Sequence, residues 1–328
     1  MENDLLYYVT EEGVTPPIYT NGGITYFIAN GEAIAVFFDE SATEVTIPSA
    51  VNGYPVTELR NTFYNCYSLT SVTLPNSLKT IGNKAFSNCS KLASITIPSS
   101  VTSIESKAFF YCSKLTSISI PSSVTSIGDN AFDHCSSLTS VSIQNGVKSI
   151  GEWAFSYCGK LTSISIPSSV TSIGNSAFSG CDSLTSITIP GSVTSIGNSA
   201  FSDCDGLNKV TIQSGVTSIG DSAFSSCSIL ANVSIPSSVT SIGKRAFSNC
   251  NKLINVSIPS NVTTIYADSF ATNTILVVSE NSYAHTVAME NDLLYYVIEE
   301  GVTPPIYTNG GITYFIANGE AIAVFFDE

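Results

Sequence analysis

From residue 63 onward apolar and polar positions recur with a period of 23. Cys66, Cys89, Cys112, Cys135, Cys158, Cys181, Cys204, Cys227 and Cys250 mark it, each 23 residues after the last. A Phe stands three residues before each, from Phe63 through Phe247, and an Ala precedes every Phe of the series but the first. A Leu stands three residues after each Cys, from Leu69 to Leu253, then Val or Ile, then Leu or Ile, usually followed by Pro as in Ile118, Ile120 and Pro121. Val124, Ile127 and Gly128 complete a unit that reads C-S-K-L-T-S-I-S-I-P-S-S-V-T-S-I-G-D-N-A-F-D-H. About eight of the 23 positions are apolar or small. One unit cannot bury eight apolar groups alone, whereas stacked coils cover one another and build a continuous core, the logic of a solenoid. The alternation Ile187, Thr188, Ile189 has the period of a strand with one buried face, and Pro stops it. At about 4.8 Å per coil, roughly ten coils predict a parallel sheet along a rod on the order of 50 Å long.

The consensus L-x-x-I-x-I-P-x-x-V-x-x-I-G-x-x-A-F-x-x-C resembles the BspA-like, Treponema-type leucine-rich repeats of bacterial surface proteins, over roughly residues 41–280 and nine times in register. It departs from the common leucine-rich repeat, in which Asn or Cys follows the strand; here Cys precedes it. The resemblance implies a β-rich leucine-rich-repeat solenoid with short helical or 3-10 turns. It also implies a non-enzymatic protein without cofactor, located outside the cell or at its surface, that adheres to protein or glycan partners on cells or matrix.

An open solenoid exposes core at both ends, so its terminal coils need other sequences. I-T-Y-F-I-A-N-G-E-A-I-A-V-F-F, residues 24–38, places two apolar runs around Asn30-Gly31, a strong hairpin signal. A β-hairpin cap and first irregular coil are expected over 23–62, the latter four residues longer between Pro48 and Phe63 than the usual Pro-to-Phe spacing. The repeats fill 63–280. Toward the other end Asn273 stands in the Cys register and Tyr266 in the Gly register. Ser282 then reads as the N-cap of a short helix, which with an extended tail at Leu293–Ile298 forms a C-terminal cap over 281–300.

Charge adds a second, longer repeat. The 328 residues carry 12 Lys+Arg against 26 Asp+Glu, a formal net charge of −14. Residues 1–40 hold Glu2, Asp4, Glu11, Glu12, Glu32, Asp39 and Glu40 without a basic residue, and residues 289–328 are the same sequence with Thr10 replaced by Ile298. The solenoid between them is neutral. A basic excess that would displace phosphate counterions is missing, which argues against nucleic acid, and no apolar run is long enough to span a bilayer. The duplication at offset 288 suggests an array of tandem units: 1–22 as the tail and linker of a preceding unit, 301–328 as a linker and the start of the next hairpin cap, and a native polypeptide continuing past both ends.

Candidate chemistry is sparse. Parallel Cβ vectors in a stacked cysteine ladder do not suit disulfide geometry, and paired C-x-x-C ligands are missing, so the thiols read as buried small hydrophobes rather than cross-links or metal ligands. His134 beside Asp133 and His285 on the cap helix read as structural or solvated. Trp153 reads as a surface aromatic, with a binding anchor as the sharper alternative. Asn232, Asn255 and Asn261 head formal glycosylation sequons that a Ser-rich repeat produces by chance.

One array carries a functional expectation. The outward strand positions Ser71 and Thr73, Ser94 and Thr96, Ser117 and Ser119, Ser140 and Ser142, Ser163 and Ser165, Ser186 and Thr188 form two rows of hydroxyls. They suit a glycan, an extended protein or ordered water, or they merely keep a β face soluble. Adhesion or extracellular scaffolding through this face is the expected function. The alternative is a structural subunit of an end-to-end filament built from 288-residue units, a homopolymer by heterologous contact.

Overall fold

The computed structural model describes residues 17–39 and 42–298, together with the backbone of strands Ile306–Asn309, Ile312–Ala317 and Glu320–Phe326. Residues 1–16 of the tail expected at 1–22, the last two residues of the cap expected at 281–300, and residues 301–305 of the segment expected at 301–328 lie outside the described residues. The chain winds into a β-solenoid of about eleven coils.

Each coil has three walls, seen in residues 115–138. The first is the strand Ser117–Ile120, whose Ile118 and Ile120 point inward while Ser117 and Ser119 face out. Pro121 ends it, and a short turn leads to the second wall, the two-residue strand Ser126–Ile127. The third runs from Gly128 through Ala131 and Phe132 to Cys135, all three side chains buried, and Leu138 closes the circuit. Pairing is parallel at a spacing of one repeat, with Ser117 opposite Ser140 and Ile127 opposite Ile150.

The continuous sheet lies on the second wall rather than on the first. Two-residue strands from Thr80–Ile81 to Ser241–Ile242 pair in an unbroken series. The predicted first-wall strands instead divide into short sheets: Ser117–Ile120 with Ser140–Ile143 and Ser163–Ile164, then Ser186–Ile189 with Lys209–Ile212 and Asn232–Ser234. Residues 94–97 keep the alternating burial but lack ladder pairing. Inward packing of alternate residues therefore extends beyond the hydrogen-bonded ladder.

The third wall is a run of turns that never becomes a helix. Amides of Ala131, Asp133 and Cys135 donate to carbonyls three residues back, whereas those of Asn130, Phe132 and His134 donate to Glu152, Ala154 and Ser156 of the next coil. Left-handed residues at Asn130 (φ 56°) and His134 (φ 60°) interrupt any continuing helix. Gly128 is required by proximity: a Cβ there would lie 2.5 Å from the Glu105 carbonyl carbon in the coil below.

Stacking within the core is regular. Ten phenylalanines from Phe63 to Phe270 lie ring over ring, centroids 5.1–5.4 Å apart and planes within 3–9°. Burial of each side chain is worth roughly 2–3 kcal/mol in transfer free energy, and stacking adds to it.

The first cap is a three-stranded antiparallel meander, wider than the expected hairpin because Ile18–Asn21 pairs with Ile24–Ala29. The turn into Glu32–Phe38 has positive φ at both Asn30 (52°) and Gly31 (78°), the primed geometry that matches strand twist. Glu32–Phe38 pairs in parallel with Tyr54–Leu59, which joins the long sheet. The extra residues after Pro48 form a small hairpin at Asn52-Gly53 that pairs Ala50–Val51 with Tyr54–Leu59. At the other end Ser282 caps the helix Tyr283–Glu290, its hydroxyl accepting from the His285 amide at 3.2 Å. Leu293–Ile298, expected as an extended tail, holds a strand instead: Tyr295–Ile298 pairs in parallel with Ile275–Ser279, which offered a free edge. The duplicated segment folds as its first copy does, with the same antiparallel pairings and the same bulge 288 residues on.

Candidate binding surfaces

All twelve Ser and Thr side chains of the two predicted rows are exposed. Beside them runs a third row absent from the sequence reading: Thr116, Thr139, Thr162 and Thr185. Each hydroxyl there donates along the axis to the preceding coil, such as Thr139 Oγ1 to the Thr116 carbonyl at 3.1 Å and Thr116 Oγ1 to the Ala93 carbonyl at 3.3 Å. Thr125, Thr171, Thr217 and Thr240 do the same on the second wall. These threonines have used their donors. The Ser and Thr of the two strand rows make no side-chain hydrogen bond to protein among the described residues, so their donors face solvent. In sequence the three rows look alike. A hydroxyl one residue before the strand reaches a carbonyl of the coil below, while those on the pleat point away from it.

On the third wall, Tyr111, His134 and Tyr157 occupy one register position in successive coils, each left-handed at φ 52–60°. That conformation suits Asn or Gly and is uncommon for bulky residues. The His134 ring lies 4.3 Å from Tyr111 and 4.6 Å from Tyr157, centroid to centroid. The buried Asp133 takes the His134 Nδ1 contact at 2.7 Å and accepts from Asn130 Nδ2 at 3.0 Å. Tyr157 lies over Gly180, where a Cβ would meet its ring at 2.8 Å. The rings cover one another, and Tyr111 and Tyr157 stay exposed at the surface. Trp153 is half-exposed and its Nε1 donates to the adjacent Glu152 carboxylate at 3.1 Å. His285 packs on Tyr295 with centroids 5.2 Å apart. Neither histidine meets a metal-ligating set: among the described residues no three His, Cys, Asp or Glu side chains converge as metal ligands.

The nine cysteines are buried and none is bonded to another. Eight thiols donate to the carbonyl of the Phe in the preceding coil, from Cys89 to Phe63 at 3.2 Å through Cys250 to Phe224 at 3.1 Å. Burial pushes Cys112, Cys135, Cys158 and Cys181 well above the ordinary thiol range and Cys204 up to about 12. They stay neutral and shielded, poor nucleophiles and poor metal ligands.

A cleft of about 380 Å³ opens where the repeats meet the C-terminal cap, lined by Arg245, Asp268, Phe270, Leu276, Leu293 and Leu294 among others. Arg245 is paired there with Asp268 at 3.5 Å. No helix among the described residues is long and apolar enough to cross a membrane.

Comparisons agree with this architecture. The chain is similar over 88% of its length, and 96% of the other's, to a leucine-rich cell surface protein from Faecalibacterium prausnitzii A2-165, at 28% identity and a TM-score of 0.50. It is also similar to a leucine-rich repeat protein of T. pallidum, at 26% identity and a TM-score of 0.47, over 72% of this chain and 90% of that one. No curated protein sequence matches it significantly. The model of the BspA type leucine rich repeat region matches residues 59–184 and 171–283 in six copies, and with the stacked 23-residue coils it places this chain in the BspA-type leucine-rich-repeat family.

Proposed function

We propose that the solenoid is a non-enzymatic adhesion or scaffolding module that works outside the cell or at its surface and holds a protein or glycan through the first wall. One observation carries the reading: rows of outward hydroxyls at Ser117, Ser119, Ser140 and Ser142 and their equivalents leave their donors unused, while the adjacent threonines spend theirs on the fold. A ligand along the axis meets the same pair of groups at every coil, so many weak contacts add up along the face. The likeness to a protein described as cell-surface supports the location. Replacing Ser117, Ser119, Ser140 and Ser142 together by Lys tests it. Binding to glycan arrays and to cells is expected to fall at least tenfold with an unchanged melting temperature. Unchanged binding removes this face.

A second reading, a unit of an end-to-end array, rests on the duplicated capping meander with its repeated fold. Electron microscopy of concentrated protein showing filaments supports it; isolated rods at every concentration speak against it.

A further inference from the structure

One stretch of the third wall departs from the repeat. In the register just before Cys the chain has Asn65 and Asn88, then Tyr111, His134 and Tyr157, then Gly180, all left-handed at φ 52–69°. Four positions earlier, where later coils have Ser176 and Ser199, stands Trp153 at φ 57°. Asn and Gly suit this conformation, and Asn88 Nδ2 donates to Asn65 Oδ1 of the coil before at 2.7 Å. Bulky rings are strained in it. Core packing does not require them there, because Tyr111, Tyr157 and Trp153 stay 41, 49 and 37% exposed. Stacking offsets part of the strain, but the neighbouring coils fold without it. Strain that the fold does not need points to a surface that meets a ligand.

The stack carries unused polar groups one coil apart. His134 Nδ1 is held by the buried Asp133 carboxylate, which also accepts from Asn130 Nδ2, so the ring is fixed in place. Its Nε2 and the hydroxyls of Tyr111 and Tyr157 make no hydrogen bond to protein among the described residues. Cations lie alongside. Lys107 Nζ is 5.9 Å from the Phe110 ring, which meets Tyr111 edge to face at 4.5 Å. Lys91, Lys114 and Lys160, each two residues after Cys, are exposed and form no ion pair among the described residues. The acids of these coils are engaged: Glu105 and Asp129 accept from the Asn83 and Glu152 amides, and the Glu152 carboxylate from Trp153. Beyond Gly180 the wall changes sign, with Asp182, Asp203, Asp205 and Asp221 and no basic residue in it until Lys244.

We propose that this stretch of the third wall binds an extended anionic glycan that runs along the axis. Its sugar hydroxyls bond Tyr111, His134 and Tyr157, its apolar ring faces lie on Trp153, and its carboxylate or sulfate groups meet Lys107, Lys114 and Lys160. The spacing favours a glycan over an acidic peptide. The rings recur every 4.3–4.6 Å, whereas an extended peptide advances about 3.3 Å per residue and shows like-facing side chains about 6.6 Å apart. A pyranose ring advances by nearly one coil, so a glycan stays in register with the stack. The acidic stretch beyond Gly180 bounds the site by repulsion. This site lies on another wall from the hydroxyl rows and does not rest on their binding anything.

The neighbouring coils supply the test. Tyr111→Asn, His134→Asn and Tyr157→Gly, combined in the full chain, bring in residue types that the same register already holds at the same φ. Wild type and this triple variant are titrated with polygalacturonate, heparin, neutral dextran and polyglutamate, and their melting is followed by circular dichroism. The wild type is expected to bind polygalacturonate or heparin and to bind dextran and polyglutamate at least about tenfold more weakly. The triple variant is expected to lose at least about tenfold in affinity and to melt at or above the wild-type temperature, because bulky residues have left strained positions. Lys114→Gln with Lys160→Gln, both exposed and unpaired in the wild type, is expected to weaken binding by at least about threefold and to flatten its salt dependence. Binding by the triple variant within about twofold of wild type, or no binding of either anionic glycan by the wild type, overturns the site. Equal binding of dextran overturns the role of charge, and equal binding of polyglutamate overturns the glycan in favour of an acidic peptide.

Discussion

The first and third walls of the solenoid repeat with the same period under opposite rules. On the third wall Phe and Cys recur unchanged through nine coils, because each ring rests on the ring below at just over 5 Å and each thiol after the first reaches the Phe carbonyl of the coil before. Any departure is felt by two neighbours. On the first wall the inward Val and Ile are kept, whereas the outward pair changes from Ser117 and Ser119 to Lys209 and Thr211 and to Asn232 and Ser234 without disturbing the fold. Repetition in the core reflects packing; on the open face the fold leaves the side chains free to vary. The contrast shows where this molecule can change its surface without loss of stability.

Alkali should break the contrast most strongly, since the buried thiols that ionise on unfolding all lie on the third wall. Seven thiols, from Cys89 to Cys227, have their pKa raised by burial or by the neighbouring cysteine. Neutral thiols contribute stability that is fully present below the unfolded value, near 8.5, and is lost as pH rises toward the folded value, because only the unfolded chain ionises in that window. Each costs about 1.4 kcal/mol per pH unit there. The array is therefore expected to hold its stability to about pH 8 and to unfold cooperatively near pH 10, with a steep dependence visible by circular dichroism. A flat profile from pH 8 to 10 would contradict the buried thiol ladder.

Next in size is Phe155→Ala, which leaves a void between Phe132 and Phe178. A loss of about 3–5 kcal/mol is expected, and since coils contact only their neighbours the denaturant transition should split, the blocks on either side melting separately. The smallest effect belongs to the open wall. Thr139→Val removes one exposed hydrogen bond to Thr116 while keeping the branched shape, and should shift stability by less than about 0.5 kcal/mol. A loss comparable to that of Phe155→Ala would mean that the open wall, too, is a structural ladder.

Much of this was legible in the residues. Cys, Phe and Leu at fixed offsets mark the inward positions, Asn30-Gly31 marks the primed turn, and Ser282 marks the helix start, each because a local steric or hydrogen-bonding demand admits few residue types. Other features had no such mark. Ser126–Ile127 and its equivalents are two residues long, too short for alternation to register, yet they carry the continuous sheet. Leu293–Ile298 looks like a tail because its partner strand lies elsewhere in the sequence. The stacking of His134 between Tyr111 and Tyr157 joins residues a full repeat apart at positions where other coils have Asn, Asp, Ser or Gly.

The sequence by itself determined the coil: its period, the eight positions that face inward and the sites where it turns. Those depend on burial and backbone preference within one unit. Tertiary structure alone decided how coils meet: which wall forms the ladder, which hydroxyls reach the coil below and which stay open, and that the first meander lies against Tyr54–Leu59. Those depend on distances between residues 20 or more positions apart, and side chains of identical chemistry acquire different roles from where the neighbouring coil places its carbonyls.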